Sequence, residues 1–187
     1  MPAQRRGDRR GVTTATMMPP EAPVEIIPYD SGWPDRFAAE QVLMDAALAP
    51  WLVAAIEHIG STAVPHLAAK PVIDIMAPVR DLASSLPAIA AAARAGYAYF
   101  PYRADVMHWF CKPSPQRRTH HLHLVPYGSV LWHERLAFRD ALRTDPALAA
   151  EYAALKRHLA HVHRDDREAY TEAKGPFVMR VLSATDR

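Results

Sequence analysis

The chain has 187 residues, half of them hydrophobic, which is long enough for a single domain with a sizeable core. Its 22 Lys and Arg residues are nearly balanced by 20 Asp and Glu, so the formal net charge is only +2. Proteins that grip nucleic-acid backbones usually carry a larger basic excess, which excludes general nucleic-acid binding. The single cysteine excludes an internal disulfide, and no apolar run reaches the ~18–20 residues of a membrane-spanning helix. We therefore expect a cytoplasmic protein without membrane contact.

The N-terminal segment differs in composition from the rest of the chain. It is rich in Arg, Thr and Pro, with four arginines in the first eleven positions, and it has neither helical nor strand periodicity. We predict a disordered tail over residues 1–22, with Met17 or Met18 as alternative translation starts. The remaining residues, 23–187, are predicted to form one domain.

The first elements of the domain are read from apolar runs and helix caps. Residues 24–27 predict an edge strand, and Asp30 offers an N-cap oxygen for a helix over residues 33–49. The apolar, β-branched residues 51–59 predict a buried strand that ends in a Gly-Ser turn.

Helices and strands alternate in the next part of the chain, and its last part is helical. A short helix at 65–69, a strand at 71–79 and a helix at 81–95 with a break at Pro87 follow the turn. Three strands and three helices complete the chain: 97–102, 106–112 and 119–125, then 130–143, 146–161 and 165–182. This order predicts an α+β fold with a mixed sheet flanked by helices and a helical C-terminal third.

The segment 56–79 holds the first candidate binding residues. Gly60 permits a close approach or an unusual backbone angle, and the helix start behind it, with the Ser61 hydroxyl, can hold an anion. Lys70 can reach a phosphate as a point charge. Strand periodicity places Asp74 on the face opposite the isoleucines, where a carboxylate suits a metal-bridged phosphate. The alternatives are a purely structural turn, a solvated lysine, and an ion pair of Asp74 with Lys70 or an arginine.

The second cluster lies in the predicted strand RRTHHLHLVP. Strand periodicity projects His121 and His123 from one face and two leucines from the other. Such a pair suits a metal or a phosphate but specifies no unique metal. Arg117 and Arg118 at the strand entry can hold an anion. The alternatives are hydrogen-bonded surface histidines and a solvated turn.

Several separate motifs resemble the GrpB family. They are HIGSTAVPHLAAKPVIDI, RRTHHLHLVP, LAFRDALR, LAAEYAALKRHLA and DDREAYTEAK, and they extend over about residues 24–182. That family is similar to the nucleotidyltransferase superfamily of the DNA polymerase β type, and it also occurs fused to dephospho-CoA kinase. The resemblance implies a nucleotidyltransferase-like mixed sheet and a nucleotide or other phosphorylated small molecule as the ligand. It also makes dephospho-CoA kinase a candidate partner.

The resemblance further implies residue roles in metal-assisted nucleotidyl transfer. Gly60 and Ser61 would hold the terminal phosphates, and Asp74 would bind Mg²⁺ or Mn²⁺. The phosphate- or nucleotide-binding candidates are Gly60, Ser61, Lys70, Arg118, Lys156 and Lys174. The last two occupy the family segments EYAALK and YTEAK. The alternative for both is an ordinary lysine on a helix surface, with Tyr152 and Lys156 packing together.

The sequence departs from the expected pattern in two respects, its acidic ligands and position 66. Met76 stands where a two-metal transferase carries a second acid, and His121 and His123 stand where a third carboxylate is expected. Thioethers are poor Mg²⁺ ligands, and imidazoles shift the preference towards Mn²⁺, Zn²⁺ or Fe²⁺. His66 replaces the usual family glycine, so its ring would narrow the phosphate turn or add a donor to it.

Three functional hypotheses follow. The first is a nucleotidyltransferase-fold protein that binds a nucleotide or phosphorylated small molecule and transfers a nucleotidyl group to an unidentified acceptor. The second is a non-catalytic binding or accessory module of the type associated with dephospho-CoA kinase. The third is a transition-metal enzyme whose catalytic centre is a two-His, one-carboxylate site of Asp74, His121 and His123, which suits Fe²⁺, Mn²⁺ or Zn²⁺.

Overall fold

The computed structural model describes residues 21–185, and its centre is a five-stranded mixed sheet. The strands are β1 (Glu57–Ile59), β2 (Ile73–Val79), β3 (Ala98–Phe100), β4 (His108–Pro113) and β5 (Arg118–Pro126). The helices are α1 (Trp33–Leu48), α2 (Ala88–Arg94), α3 (Val130–Thr144), α4 (Pro146–Val162), α5 (Arg167–Glu172) and α6 (Gly175–Thr185). This architecture confirms the predicted α+β class with a helical C-terminal part.

The order of the strands in the sheet is β1-β2-β5-β4-β3. The central pair, β2 and β5, is parallel, and the other pairs are antiparallel. In the parallel register Asp74 lies opposite His121, and Met76 lies opposite His123. The two strands that carry the candidate metal ligands are therefore direct neighbours.

The two faces of the sheet bury different side chains, as the period of two requires. Ile73, Ile75 and Leu122 pack in the main core with Trp33 of α1 and the alanines of α2. On the opposite face, Met76 packs with Ile59, Val125 and Trp132 in a smaller cluster. The predicted alternation is therefore confirmed for β2 and β5.

The C-terminal helices pack against one another through aromatic rings. Phe138, Tyr152 and Phe177 meet with centroid separations of 4.9–6.4 Å, and Val64 and Leu67 join their cluster. This contact fixes the segment after the Gly-Ser turn against α4 and α6. Within residues 21–185, no helix has both the length and the apolar character needed to cross a membrane.

Three predicted elements near the N-terminus are wrong. The strand predicted at 24–27 is reduced to a single bridge between Ile27 and Ala69. Of the strand predicted at 51–59, only β1 forms. The residues before it turn after α1 and pair with the sheet at a single bridge, through Leu52. The helix predicted at 65–69 is absent; a short 3₁₀ helix (Ser61–Ala63) precedes it, and His66 has a left-handed φ of 63° that interrupts any helix.

Two helix boundaries also differ. The helix predicted over 81–95 is regular only from Ala88, directly after Pro87. The helix predicted over 165–182 is divided into α5 and α6 by a turn at residues 173–174, and Pro176 in the first turn of α6 supplies no amide to continue the first helix. The predicted tail lies outside the described residues except for residues 21 and 22, and there the Ala22 amide donates to the Gln116 carbonyl.

Candidate functional site

A cavity of about 670 Å³ opens on the sheet face opposite α1, beneath the C-terminal helices. Most of the site residues predicted from the sequence line it: Ser61, Lys70, Asp74, Arg118, His121, His123, Lys156 and Lys174. Gly60 lies immediately beside Asp74. The fold thus brings these nine candidates together, whereas Arg117 is exposed and outside the cavity lining; all their roles in binding stay predictions.

Asp74, His121 and His123 form a compact cluster in the cavity wall. His121 Nδ1 hydrogen-bonds Asp74 Oδ1 at 2.9 Å, and His123 Nε2 lies 3.7 Å from the same oxygen. One ligand atom from each residue lies within 4.8 Å of the others. Within the described residues, these two imidazoles are the only basic groups within 4.0 Å of the carboxylate, so the ion pair with Lys70 or an arginine is not formed.

The electrostatics favour a charged carboxylate and neutral imidazoles. Burial pushes the pKa of Asp74 upwards, but the hydrogen bonds and charges of the two histidines outweigh it and hold the pKa well below its ordinary value. Burial lowers the pKa of His121 to about 4 and also lowers the pKa of His123, against the attraction of Asp74. At neutral pH all three residues are therefore in the protonation state that ligates a metal.

The donor set fits a transition metal better than Mg²⁺. Two ligands at about 2.1 Å from one ion, at tetrahedral or octahedral angles, are about 3.0–3.4 Å apart. The separations of 2.9 and 3.7 Å bracket this range. The Nε2 atom of His123, its ligand atom in this arrangement, is buried without a hydrogen-bond partner among the described residues. Met76, fully buried, supplies no oxygen, and two imidazoles with one carboxylate suit Mn²⁺, Fe²⁺ or Zn²⁺.

Gly60 is required beside this cluster for two reasons. Its φ of 71° and ψ of −173° lie in a region that is almost exclusive to glycine. A Cβ at this position would also lie 3.0 Å from the Cβ and Cγ of Asp74 and still closer to its carboxylate oxygen. Glycine therefore lets the turn approach the carboxylate directly.

Three lysines surround the cluster in different ways. Burial lowers the pKa of Lys70 and of Lys174 to about 8 each, and Asp74 opposes the shift in both. Lys174 Nζ also lies 4.4 Å from the Tyr170 ring centroid. Lys156 is almost fully buried; its Nζ donates to the Ala68 carbonyl at 2.6 Å and lies 4.8 Å from the Tyr152 ring. Lys156 therefore has partners within the fold, and Lys70 and Lys174 remain the candidate anion ligands.

The cavity is also lined by residues that were not predicted from the sequence, notably Trp109 and Arg167. Trp109 pairs with His123 in the β4–β5 register, so alternation along β4 would have placed it once that hairpin was aligned. Arg167 had no signal of its own beyond its place in the family segment DDREAYTEAK.

The comparison with known families identifies the fold. A family model described as GrpB protein matches residues 23–184. The chain belongs to the GrpB family. A crystal structure of conserved protein GrpB from Enterococcus faecalis superposes with a TM-score of 0.76 and 32% sequence identity, over 84% of this chain and 94% of that chain.

Curated relatives of this GrpB chain differ in length. The UPF0157 protein PA4798 of Pseudomonas aeruginosa is 39% identical over 85% of this chain and 66% of that protein. A UPF0157 protein of Deinococcus radiodurans is 39% identical over 85% of this chain and 81% of its own length. A dephospho-CoA kinase of Mycolicibacterium paratuberculosis is 29% identical over 83% of this chain, which spans 44% of that protein.

His66 does not take part in the phosphate turn. Its side chain is exposed, stands outside the cavity lining and packs against Tyr29 with a centroid separation of 5.6 Å. It therefore neither narrows the turn nor adds a donor to it. Its left-handed φ of 63° is a conformation that glycine would adopt without strain.

Replacing His66 tests the backbone strain. Both His66→Gly and His66→Ala lose the Tyr29 contact, but only the glycine variant relieves the left-handed conformation. We expect His66→Gly to be more stable than His66→Ala by about 1 kcal/mol. Urea unfolding of both variants measures the difference; equal midpoints would mean that φ relaxes in the variants.

Replacing Lys156 tests the cost of its burial. Burial lowers its pKa to about 7 in the folded protein, whereas the unfolded chain keeps the ordinary value near 10.5. Between these values the unfolded state binds more protons, so stability rises with pH, by up to about 1.4 kcal/mol per pH unit. We expect Lys156→Met to flatten the rise between pH 7 and 9, measured by urea unfolding. Arg94→Met, an exposed arginine at the end of α2 that does not act on Lys156, is the control and should keep the wild-type slope.

Proposed function

We propose that this GrpB chain binds a divalent transition-metal ion through Asp74, His121 and His123, and that the cavity binds the phosphate of a nucleotide or another phosphorylated small molecule. The observation that supports this proposal is the convergence of three ligand atoms within 4.8 Å in the wall of a cavity that also carries Lys70 and Lys174. A metal at this position would lie next to cationic groups able to neutralise a phosphate.

Different residues of the chain would contact different parts of such a ligand. A bound ion would polarise a phosphoryl oxygen and offset the charge that develops on it. Lys70 and Lys174 are mostly protonated at neutral pH despite their lowered pKa, and an anion next to them would raise that fraction. Ser61 offers a hydroxyl, and the ring of Trp109 offers a flat surface to a base.

Metal and phosphate titrations test the proposal. Chelator-treated protein is titrated with Mn²⁺, Zn²⁺ and Mg²⁺ in a calorimeter, and the metal-loaded protein is then titrated with inorganic phosphate and with a non-hydrolysable nucleoside triphosphate. We expect one site for Mn²⁺ or Zn²⁺, weaker binding of Mg²⁺, and phosphate binding that depends on the metal. Unchanged metal binding in His123→Asn would overturn the assignment of the ligands.

The reaction we propose for this site is metal-dependent nucleotidyl transfer, by resemblance to the nucleotidyltransferase superfamily. Wild-type protein would then release pyrophosphate from a nucleoside triphosphate in the presence of Mn²⁺ and an acceptor, and Asp74→Asn would not. Binding of the triphosphate without release would instead support the second candidate.

The second candidate is a non-catalytic accessory module, which the buried Met76 at the second-acid position favours. The similarity to a dephospho-CoA kinase makes that enzyme the candidate partner. Purified dephospho-CoA kinase is mixed with this chain and followed by size-exclusion chromatography. A stable complex without pyrophosphate release would establish this candidate over the first.

A further inference from the structure

Two arginines form a separate cationic group at the outer end of the cavity. Arg118 Nη2 donates to Glu21 Oε1 at 2.5 Å, and Arg167 Nε lies 3.3 Å from Glu21 Oε2. Arg167 also donates twice to the Ala22 carbonyl, at 2.8 and 2.9 Å. The Arg118 guanidinium lies 5.4 Å from the ring centroid of Trp109, within the range of a cation–π contact. A single carboxylate thus faces two positioned guanidinium groups.

Glu21, whose carboxylate contacts both arginines, is the most exposed of the three side chains. Arg118 and Arg167 are 18% and 11% exposed, but Glu21 is 40% exposed. Two arginines share the one carboxylate of Glu21, so this group carries one unbalanced positive charge. The buried Nη1 of Arg167 also has no hydrogen-bond partner among the described residues. Because buried guanidinium groups are costly without full pairing, this group is matched to an anion with more acceptor oxygens than one carboxylate.

The arginine pair belongs to the same cavity as the metal ligands. Arg118 precedes His121 by three positions on β5, which separates their backbones by about 10 Å. Lys70 lines the same cavity, and the charges of Asp74, Arg118, Arg167 and Glu21 all act on it. A small molecule of nucleotide size can span this distance.

We propose that Arg118 and Arg167 form a second anion subsite, which Glu21 fills in the free protein. The ligand of this cavity then carries two anionic groups, one bound near Lys70 and the metal ligands and the other exchanging with the Glu21 carboxylate. This inference rests on the proposed function, because it assigns the first anionic group to the phosphate position described there.

Pairs of mono- and bisphosphates test the subsite. Mn²⁺-loaded protein is titrated with adenosine 5′-monophosphate and adenosine 3′,5′-bisphosphate, and also with fructose 6-phosphate and fructose 1,6-bisphosphate, which lack a base. We expect each bisphosphate to bind more tightly than its monophosphate. Glu21→Gln should tighten only the bisphosphates severalfold, whereas Arg167→Gln should weaken them by about tenfold or more and leave the monophosphates unchanged.

Matched controls separate this result from changes in net charge or stability. Glu151→Gln removes a carboxylate from another exposed pair, in which Arg180 lies 2.6 Å away, and should change neither ligand class. Arg167→Lys keeps the charge but loses the planar fork, and should give an intermediate loss. Equal effects of Glu21→Gln and Arg167→Gln on mono- and bisphosphates would overturn the subsite while the metal and phosphate site stands. If wild-type protein bound none of these phosphates, both the subsite and the proposed phosphate site would be overturned.

Discussion

Asp74→Asn is expected to abolish high-affinity metal binding. The substitution keeps the shape of the side chain but removes the only anionic ligand of the cluster, and a neutral amide cannot balance a divalent ion beside two imidazoles. Changes to groups that merely orient metal ligands cost about 10–100-fold in affinity, so loss of this ligand should exceed that range. Calorimetric titration with Mn²⁺ and Zn²⁺ measures the effect.

A buried carboxylate on the other face of the sheet supplies the control. Glu40 lies 2.8 Å from Lys112 Nζ and 4.0 Å from His120 Nε2, so it also belongs to a group of carboxylate, lysine and imidazole. Glu40→Gln should lower stability, because it leaves Lys112 without its partner, but it should leave the metal affinity at the wild-type value. If the metal affinity fell in Glu40→Gln and not in Asp74→Asn, the ion would bind on the wrong side of the sheet for this proposal.

The face of the sheet on which each candidate ligand lies could be predicted from the alternation of side chains along its strand. Alternation along β2 and β5 is set by the strand itself, so Asp74, His121 and His123 could be assigned to one face from the sequence. The adjacency of the two strands is a tertiary feature, and only the family resemblance pointed to it. The parallel register that sets Asp74 beside His121 was therefore beyond what periodicity predicts.

The errors arose where apolar composition was taken as conformation. Within residues 51–55 only Trp51 and Leu52 pack against the core, from the turn after α1, whereas residues 53–55 are exposed, so an apolar run here is neither a strand nor fully buried. The break before Gly175 carried a local signal, since Pro176 lacks the amide that a continuous helix needs. The Glu21–Arg167 contact had none, because it joins residues from opposite ends of the chain.

Gly60→Ala is expected to damage both stability and the metal site. An alanine at φ 71° and ψ −173° is strained, and its Cβ would press on the Asp74 side chain, which is anchored by His121 and cannot move away freely. We expect a loss of about 2–4 kcal/mol in the free energy of unfolding. The displaced carboxylate should also weaken Mn²⁺ binding at least tenfold in the fraction that remains folded. Urea unfolding and calorimetry measure the two effects.

Gly128→Ala separates backbone strain from the contact with Asp74. Gly128 has a nearly identical φ of +72°, but a Cβ there would meet no atom within 4 Å. Its replacement should therefore cost only the strain of a left-handed residue, about 1–2 kcal/mol, and leave metal binding intact. A similar drop in metal affinity in both variants would mean that general destabilisation causes it. A drop in Gly60→Ala alone would mean that the turn positions the carboxylate, which is the arrangement on which the proposed chemistry depends.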